Sequence, residues 1–134
     1  MGYLIKQGDL ITKQITIPEA IFQNLHAIQF ELLPATTLGA YNLINATLTC
    51  KGGNGYNSFG HLYLENFGTC AVYDEAANLI NPGYYNTFAV NMSHPPNIFS
   101  AVTKPSYALD LISELAPLGT GDVVIQLIYT IVNL

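Results

Sequence analysis

The chain has 134 residues, 50% of them hydrophobic and only 10% charged, with a net charge of −5. Its four basic residues are scattered lysines, and no arginine is present. Without clustered cations for phosphates or arginine for base edges, no nucleic-acid partner is expected. No apolar run approaches the roughly 20 residues of a membrane helix, so no membrane contact is expected. Because ordinary domains carry about 25% charged residues, we expect a surface of Asn, Thr, Ser, Gln and Tyr, or one hidden against other chains.

The N-terminal stretch "MGYLIKQGDL" has no basic region followed by a long apolar one, so we expect no signal peptide. We expect residues 1–13 to precede the folded domain as a docking arm, with Leu4 and Ile5 as interface candidates. Residues 14–134 fit a single domain. Cys50 and Cys70 are compatible with one disulfide, but without a secretory signal two reduced, buried thiols are favoured.

Alternation of apolar and polar residues predicts three strands in the first part of the chain, over residues 10–17, 27–33 and 41–49. The first is ended by Pro18. In the second, the alternation places Ile28 on the same face as the other apolar residues of the strand.

The glycine-rich stretch 51–60, "KGGNGYNSFG", predicts a flexible hairpin loop between the third strand and a fourth at 61–67. A phosphate cradle is the alternative, but such a loop lies between a strand and a helix N-terminus, whereas this one runs from strand to strand. Two more strands are expected over residues 69–74 and 87–92, joined through the Asn-Pro-Gly turn at 81–83.

The segment "SYALDLISELAP" fits either a strand or a short amphipathic helix. We favour a strand, because it would pair across the "PLGTGD" turn with the final strand. That last strand is apolar on both faces. Its core-facing residues are expected to be Val123, Ile125, Leu127, Tyr129 and Ile131. Its outward residues Val124, Ile128 and Val132 are interface candidates, to be covered either by a neighbouring subunit or by a further layer of the same chain.

About eight short strands with no long helix predict an all-β fold, namely a single antiparallel β-sandwich of jelly-roll-like topology. The sequence carries no recognisable catalytic constellation. The three histidines are far apart, with none of the paired spacing of a metal site. Neighbouring carboxylates such as Asp110 and Glu114 do not face each other across a cleft in this interpretation. We therefore expect no enzyme, no cofactor and no metal.

Tyrosines interleaved with Asn and Thr suit sugar binding or protein contacts, because tyrosine offers a large contact area at a small entropic cost. The candidate glycan-binding residues are Tyr56, Tyr84, Tyr85 and Asn86, all expected in loops. The absence of tryptophan weakens a sugar-stacking platform. Most of the other tyrosines are expected to be half-buried strand residues.

Four stretches in this order resemble small β-sandwich virion proteins of tailed bacteriophages. They are "ITIPEAIF", "ELLPATTLGAYNLINATLTC", "GHLYLENFG" and "SYALDLISELAPLGTGDVVIQLIYTIVNL". The shared features are a strand ending in Ile-Pro, a Pro-Ala-x-x-x-Gly turn and a Gly-Asp turn before a terminal apolar strand. The resemblance covers residues 15–134 and carries no catalytic residues.

This resemblance implies a non-enzymatic virion structural protein, as a capsid decoration, head-fibre or tail accessory subunit. Its partners would be its own copies, in a homo-oligomer such as a trimer, and other capsid or tail proteins. It would be made in the host cytoplasm and reside in the virion. Two alternatives from other classes stay open: a carbohydrate-binding sandwich, and a small hydrolase or isomerase that would need a metal triad.

Overall fold

The computed structural model describes residues 10–35, 40–66, 69–73, 79–90 and 108–132. Within these residues the chain forms strands and one short helix, α1 (Glu19–Gln23). The strands are β1 (Ile11–Ile17), β2 (Phe30–Leu33), β3 (Ala40–Asn57), β4 (Leu62–Glu65), β5 (Thr69–Tyr73), β6 (Leu79–Ile80), β7 (Asn86–Thr87), β8 (Ala89–Val90), β9 (Leu109–Ser113) and β10 (Leu118–Val132).

The strands form two antiparallel sheets that pack face to face. Sheet A has the order β1-β10-β3-β6, and β7 also pairs with β3. Sheet B has the order β2-β9-β4-β5-β8. The first strand thus pairs with the last, the second with β9, the third with β6 and β7, and the fourth with β5. This is a long hairpin rolled into two sheets, the jelly-roll arrangement, which confirms the predicted fold class.

The core lies between the inner faces of the two sheets. In β10 the predicted inward residues Val123, Ile125, Leu127 and Tyr129 are buried, whereas Ile131 is half-buried. Ile125 pairs in register with Ile15 of β1 and Leu48 of β3, so one row of apolar side chains crosses the sheet. A slip of one residue would turn that row to the outside, so burial of this face fixes the register.

Helix α1 closes one side of the sandwich between β1 and β2. Pro18 ends β1, and its carbonyl oxygen accepts hydrogen bonds from the N–H groups of Ile21 and Phe22. The Glu19 carboxylate accepts a hydrogen bond from the N–H of Gly121 at 2.7 Å, which ties the helix to β10. Phe22 is buried against the ring of Tyr56, with ring centroids 4.6 Å apart. The sequence did not predict α1, because five residues are too few to show a helical period.

The opposite side is closed by the chain crossing from sheet A to sheet B. The predicted strand over 87–92 is wrong as a single unit: β7 belongs to sheet A and β8 to sheet B. Phe88 lies between them, buried, with its N–H donating to the Ala46 carbonyl at 2.9 Å. One buried aromatic residue thus splits the stretch, while residues 91–92 lie outside the described residues.

The predicted second strand is shorter than expected. Only Phe30–Leu33 is a strand, and Ile28 lies before it with 70% of its surface exposed. The N–H of Ile28 donates to the carbonyl of Asn24 at 2.9 Å, which continues the turns that follow α1. The alternation was a misleading signal here, because that hydrogen bond holds Ile28 in a turn.

The predicted hairpin loop over 51–60 is also wrong. Residues 51–57 continue β3, and β4 lies in the other sheet. The glycines serve a bulge: the register passes from Asp122↔Lys51 to Thr120↔Gly55, so residues 52–54 lie opposite Gly121. A hydrogen bond holds the bulge against β10, since the N–H of Asn54 donates to Thr120 Oγ1 at 2.8 Å.

The ambiguous segment 106–117 contains strand β9, which confirms the strand interpretation. The expected pairing is wrong, however. β9 pairs with β2 and β4 in sheet B, whereas β10 lies in sheet A and already includes the predicted turn.

Lys13 connects one edge strand of sheet A to one edge strand of sheet B. It pairs in register with the inward Leu127, and its Nζ donates to the carbonyl of Leu32 in β2 at 3.2 Å. Since β1 ends sheet A and β2 ends sheet B, this bond links the two sheets along one side. Residues 11–13 therefore belong to β1, as the predicted strand over residues 10–17 implied, and the expected arm over residues 1–13 overlaps this strand.

Replacing Phe22 by Ala should lower the free energy of unfolding by about 3–5 kcal/mol, because it leaves a cavity against Tyr56. The matched control is Ile21→Ala on the exposed side of the same helix, which should cost about 1 kcal/mol or less. Urea unfolding followed by circular dichroism measures both. Equal losses would mean that α1 does not anchor to the core through Phe22.

Replacing Gly121 by Ala should lower the free energy of unfolding by more than about 2 kcal/mol, since backbone strain and overpacking add. Gly121 has a φ of +116°, and a Cβ there would lie 2.5 Å from Cys50 Sγ. The control is Gly52→Ala, with a φ of +71° but nothing within 4 Å of the added atom. It should cost only about 1–2 kcal/mol. A Gly121→Ala protein as stable as the control would contradict the close contact.

Candidate functional site

The outer face of sheet A carries rows of polar side chains. Gln14 of β1, Gln126 of β10 and Thr47 of β3 are register partners, so they form one row. Residues directly opposite each other share a face of the sheet. The adjacent residues Ile15, Ile125 and Leu48 point into the core, so this polar row points outward.

Tyr85 lies beside this polar row, in the segment that leads into β7. The segment is held to β3 by backbone bonds: the N–H of Gly83 donates to the Cys50 carbonyl at 3.0 Å, and Asn86 pairs with Leu48. The result is a polar hollow of about 60 Å³, which we call the sheet A groove. Its lining residues are Gln14, Thr47, Thr49, Lys51, Tyr85, Val124 and Gln126.

The charges near the groove offset each other. Lys51 contributes the cation, and Asp122 lies directly opposite it on β10. Both side chains are exposed, and Asp122 Oδ1 also accepts a hydrogen bond from the Glu19 N–H at 3.0 Å. The described lining of the groove thus contains one cation, Lys51, with the Asp122 carboxylate next to it in the register, although the chain as a whole carries −5.

The four glycan-binding candidates differ in their exposure and in whether they line the groove. Tyr85 lines the groove and is 75% exposed, whereas Tyr84 is 68% exposed but lies outside the lining. Tyr56 is only 1% exposed, and its hydroxyl donates to the Gly121 carbonyl, so burial removes it from the surface candidates. Asn86 is half-buried, with its Oδ1 accepting from the Tyr73 hydroxyl at 3.0 Å. Asn86 therefore helps to hold the Tyr85 segment.

The interface candidates also differ in how much surface they expose. Val124 is 6% exposed and forms part of the groove floor, so it offers little apolar surface to a neighbour. Ile128 is half-buried on the outer face. The side chain of Val132 and the residues Leu4 and Ile5 lie outside what the structure describes.

A second hollow, beside α1, was missed by the sequence analysis. It has a volume of about 300 Å³ and a mainly apolar lining, formed by Ala20, Ile21, Asn24 and Ile28. Ile21 and Ile28 are both exposed, and none of the described residues that line the hollow is charged. We call it the α1 hollow. The alternation over residues 27–33 predicts Ile28 on the apolar face of a strand, so this surface could not be found from the sequence pattern.

The histidines do not converge within the described residues. His61 Nδ1 lies 3.1 Å from Glu114 Oε1, and its ring stacks on Tyr63. Glu114 also accepts the His61 backbone N–H at 3.3 Å, and these hydrogen bonds lower the pKa of its carboxyl. His26 is exposed elsewhere, and His94 lies outside the described residues. The Glu114 pair fastens the turn before β4 to the end of β9.

The two cysteines are buried, one in each sheet, and are not joined by a disulfide. Burial raises the pKa of the Cys50 thiol, and its Sγ lies 3.5 Å from the carbonyl oxygens of Gly52 and Thr120. Burial also raises the pKa of Cys70, to about 11. Because the thiolate is the nucleophilic form, neither thiol is activated for chemistry in this environment.

Three carboxylates form a row on the outer face of sheet B, where Asp110 pairs in register with Glu31 and Glu65. Partial burial, and then the charge of Glu31, raise the pKa of Asp110. Gln29 Nε2 donates to Asp110 Oδ2 at 2.8 Å. Across the described ranges, no group of three or more His, Cys, Asp or Glu side chains is placed to hold a metal ion. In the same ranges, no helix has the length and apolar character needed to cross a membrane.

Comparisons with family models, curated proteins and solved structures found no match to this chain. The resemblance to phage virion proteins therefore stays a prediction from the order of the sequence motifs. The chemistry of the surfaces has to be inferred from the residues themselves.

Glu114 gives the fold a pH dependence whose sign follows from its lowered pKa. Its contribution to stability is present above the ordinary value of 4.5 and is lost as the pH falls through the lowered folded pKa. Between pH 6 and pH 3 the native chain should therefore lose more thermal stability than Glu114→Gln, which cannot titrate. Melting temperatures across this pH range measure the difference.

The control for this experiment is Glu31→Gln, which removes a repulsion with Asp110 instead of an attraction. It should leave stability unchanged or slightly raised at neutral pH. Parallel melting curves for the native chain and Glu114→Gln would contradict the role of the His61 hydrogen bonds.

Proposed function

We propose that this chain is a structural subunit of a bacteriophage particle and acts through protein–protein contacts. Its sequence motifs resemble those of phage β-sandwich virion proteins, and its jelly-roll topology belongs to a class that includes viral capsid domains. Fold class alone does not fix function. The observation that carries the proposal is the α1 hollow, an exposed apolar surface on a chain with only 10% charged residues.

The proposed occupant of the α1 hollow is the N-terminal segment of a neighbouring copy. Nine residues precede Leu10 in the sequence, and they include Tyr3, Leu4 and Ile5. Leu10 itself is exposed just before edge strand β1. At about 3.3–3.6 Å per residue, nine residues reach about 30 Å, enough to extend to an adjacent subunit.

The energetics favour such a contact only within an assembly. Burying one Leu or Ile side chain contributes about 1.5–3 kcal/mol. Association of two free proteins costs about 4–15 kcal/mol in lost freedom. Two or three apolar side chains therefore give weak pairing in solution, whereas several simultaneous contacts on a particle give stable attachment.

The proposal is tested on particles of the phage that encodes the chain. Mass spectrometry of purified particles should find the protein at a fixed multiple of the major capsid or tail subunits. The recombinant protein should bind again to particles assembled without it. A protein that is abundant in infected cells but missing from particles would overturn the proposal.

The α1 hollow is tested by Ile28→Asp, which places a charge on an exposed side chain and leaves the core intact. Rebinding to particles should fall at least tenfold, and Leu4→Asp with Ile5→Asp should have a similar, non-additive effect. Leu115→Asp is the matched control, because Leu115 is also exposed but lies outside the hollow. Equal losses for Ile28→Asp and Leu115→Asp would exclude a specific hollow.

A further inference from the structure

We infer that the sheet A groove binds a neutral saccharide, a function that does not depend on a role in a particle. The groove combines a polar floor on β1, β10 and β3 with one exposed aromatic wall, Tyr85. The described residues that line the groove are all different from those that line the α1 hollow.

The floor offers the hydrogen-bonding groups that sugar hydroxyls require. Gln14 and Gln126 each carry an amide that both donates and accepts, and the hydroxyls of Thr47 and Thr49 do the same. Neighbouring strands are about 4.8 Å apart, so these groups are repeated at regular intervals across the face. A ligand with several adjacent hydroxyls, each able to donate and accept, matches such an array.

The wall offers the apolar contact that a sugar ring also requires. Tyr85, a residue that is 75% exposed, presents the flat ring that forms this wall. The C–H face of a pyranose ring packs on such a surface while its hydroxyls stay in contact with polar groups. Backbone bonds at Gly83 and Asn86 hold the segment of Tyr85 to β3, so less freedom is lost when a ligand binds.

The size of the groove determines how a ligand would lie. Its 60 Å³ is room for about two water molecules at roughly 30 Å³ each, too little to enclose a sugar ring. The ring would therefore lie across the open groove against Tyr85 and insert one hydroxyl or hydroxymethyl group in place of water. Such an open site suits the end or one face of a glycan chain.

The charges and topology argue against other ligands. Lys51 is opposed by Asp122, and the chain has no arginine to clamp a phosphate or sulfate. An extended peptide added as a strand needs a sheet edge, but β10 and β3 are interior strands of sheet A. An apolar ligand would leave the two glutamine amides and two threonine hydroxyls of the floor without water or partners.

The test is binding of the folded full-length protein to a glycan array that carries neutral, sialylated and sulfated oligosaccharides. Saturation-transfer NMR with the neutral probes extends detection to millimolar affinity. We expect binding to neutral glycans. Tyr85→Ala should reduce affinity at least tenfold, and Gln126→Ala should reduce it several-fold.

Tyr84→Ala is the matched control, because Tyr84 is adjacent and exposed but does not line the groove. Its affinity should stay within twofold of the native chain. Four results would overturn the inference: no binding by either method, binding only to charged glycans, equal losses for the two tyrosine variants, or unchanged binding in Tyr85→Ala. If Tyr85→Ala loses attachment to particles but not sugar binding, the groove is a protein interface instead.

Discussion

The pairing of β3 with β10 is the constraint on which the rest of the structure depends. These are the two longest strands described, and they lie side by side in the interior of sheet A. Their register turns Leu48 and Ile125 into the core and Thr47 and Gln126 to the outside. The bulge in the same pairing exposes the N–H of Gly121 to the Glu19 carboxylate of α1. One set of backbone bonds thus positions the core, the helix and the groove together.

The faces of the long strands could be predicted because alternation and burial agree. In β10 the inward residues Val123, Ile125 and Leu127 were identified correctly, since only one register buries them. The strand boundaries around glycine were not predictable in the same way. From its sequence neighbours alone, a glycine predicts a turn. Here the glycines allow two strands to approach closely, and this role depends on the partner strand, which is distant in sequence. The prediction for Ile28 was wrong for a related reason. Ile28 fits the alternation of a strand, but it lies in a turn that follows α1.

The candidate sites were predictable only in part. Tyr85 could be selected as an exposed aromatic residue in a turn-rich stretch, yet the sequence ranked Tyr56 equally, although that ring packs on Phe22 in the core. The groove floor joins residues more than 100 positions apart, Gln14 and Gln126, through strand register. The α1 hollow depends on a five-residue helix too short to leave a periodic signal. Both surfaces therefore arise from non-local pairing and packing, which single-residue patterns do not encode.

Lys13 has a consequence for how copies of this chain can meet. A charged side chain that points inward from an edge strand is one of the ways by which sheets avoid joining edge to edge. Here that ammonium group also bonds to the Leu32 carbonyl of the other sheet, so a foreign strand would have to displace it to extend sheet A beyond β1. At this edge, crowded copies would then touch through side chains and would not join their sheets into a continuous fibril.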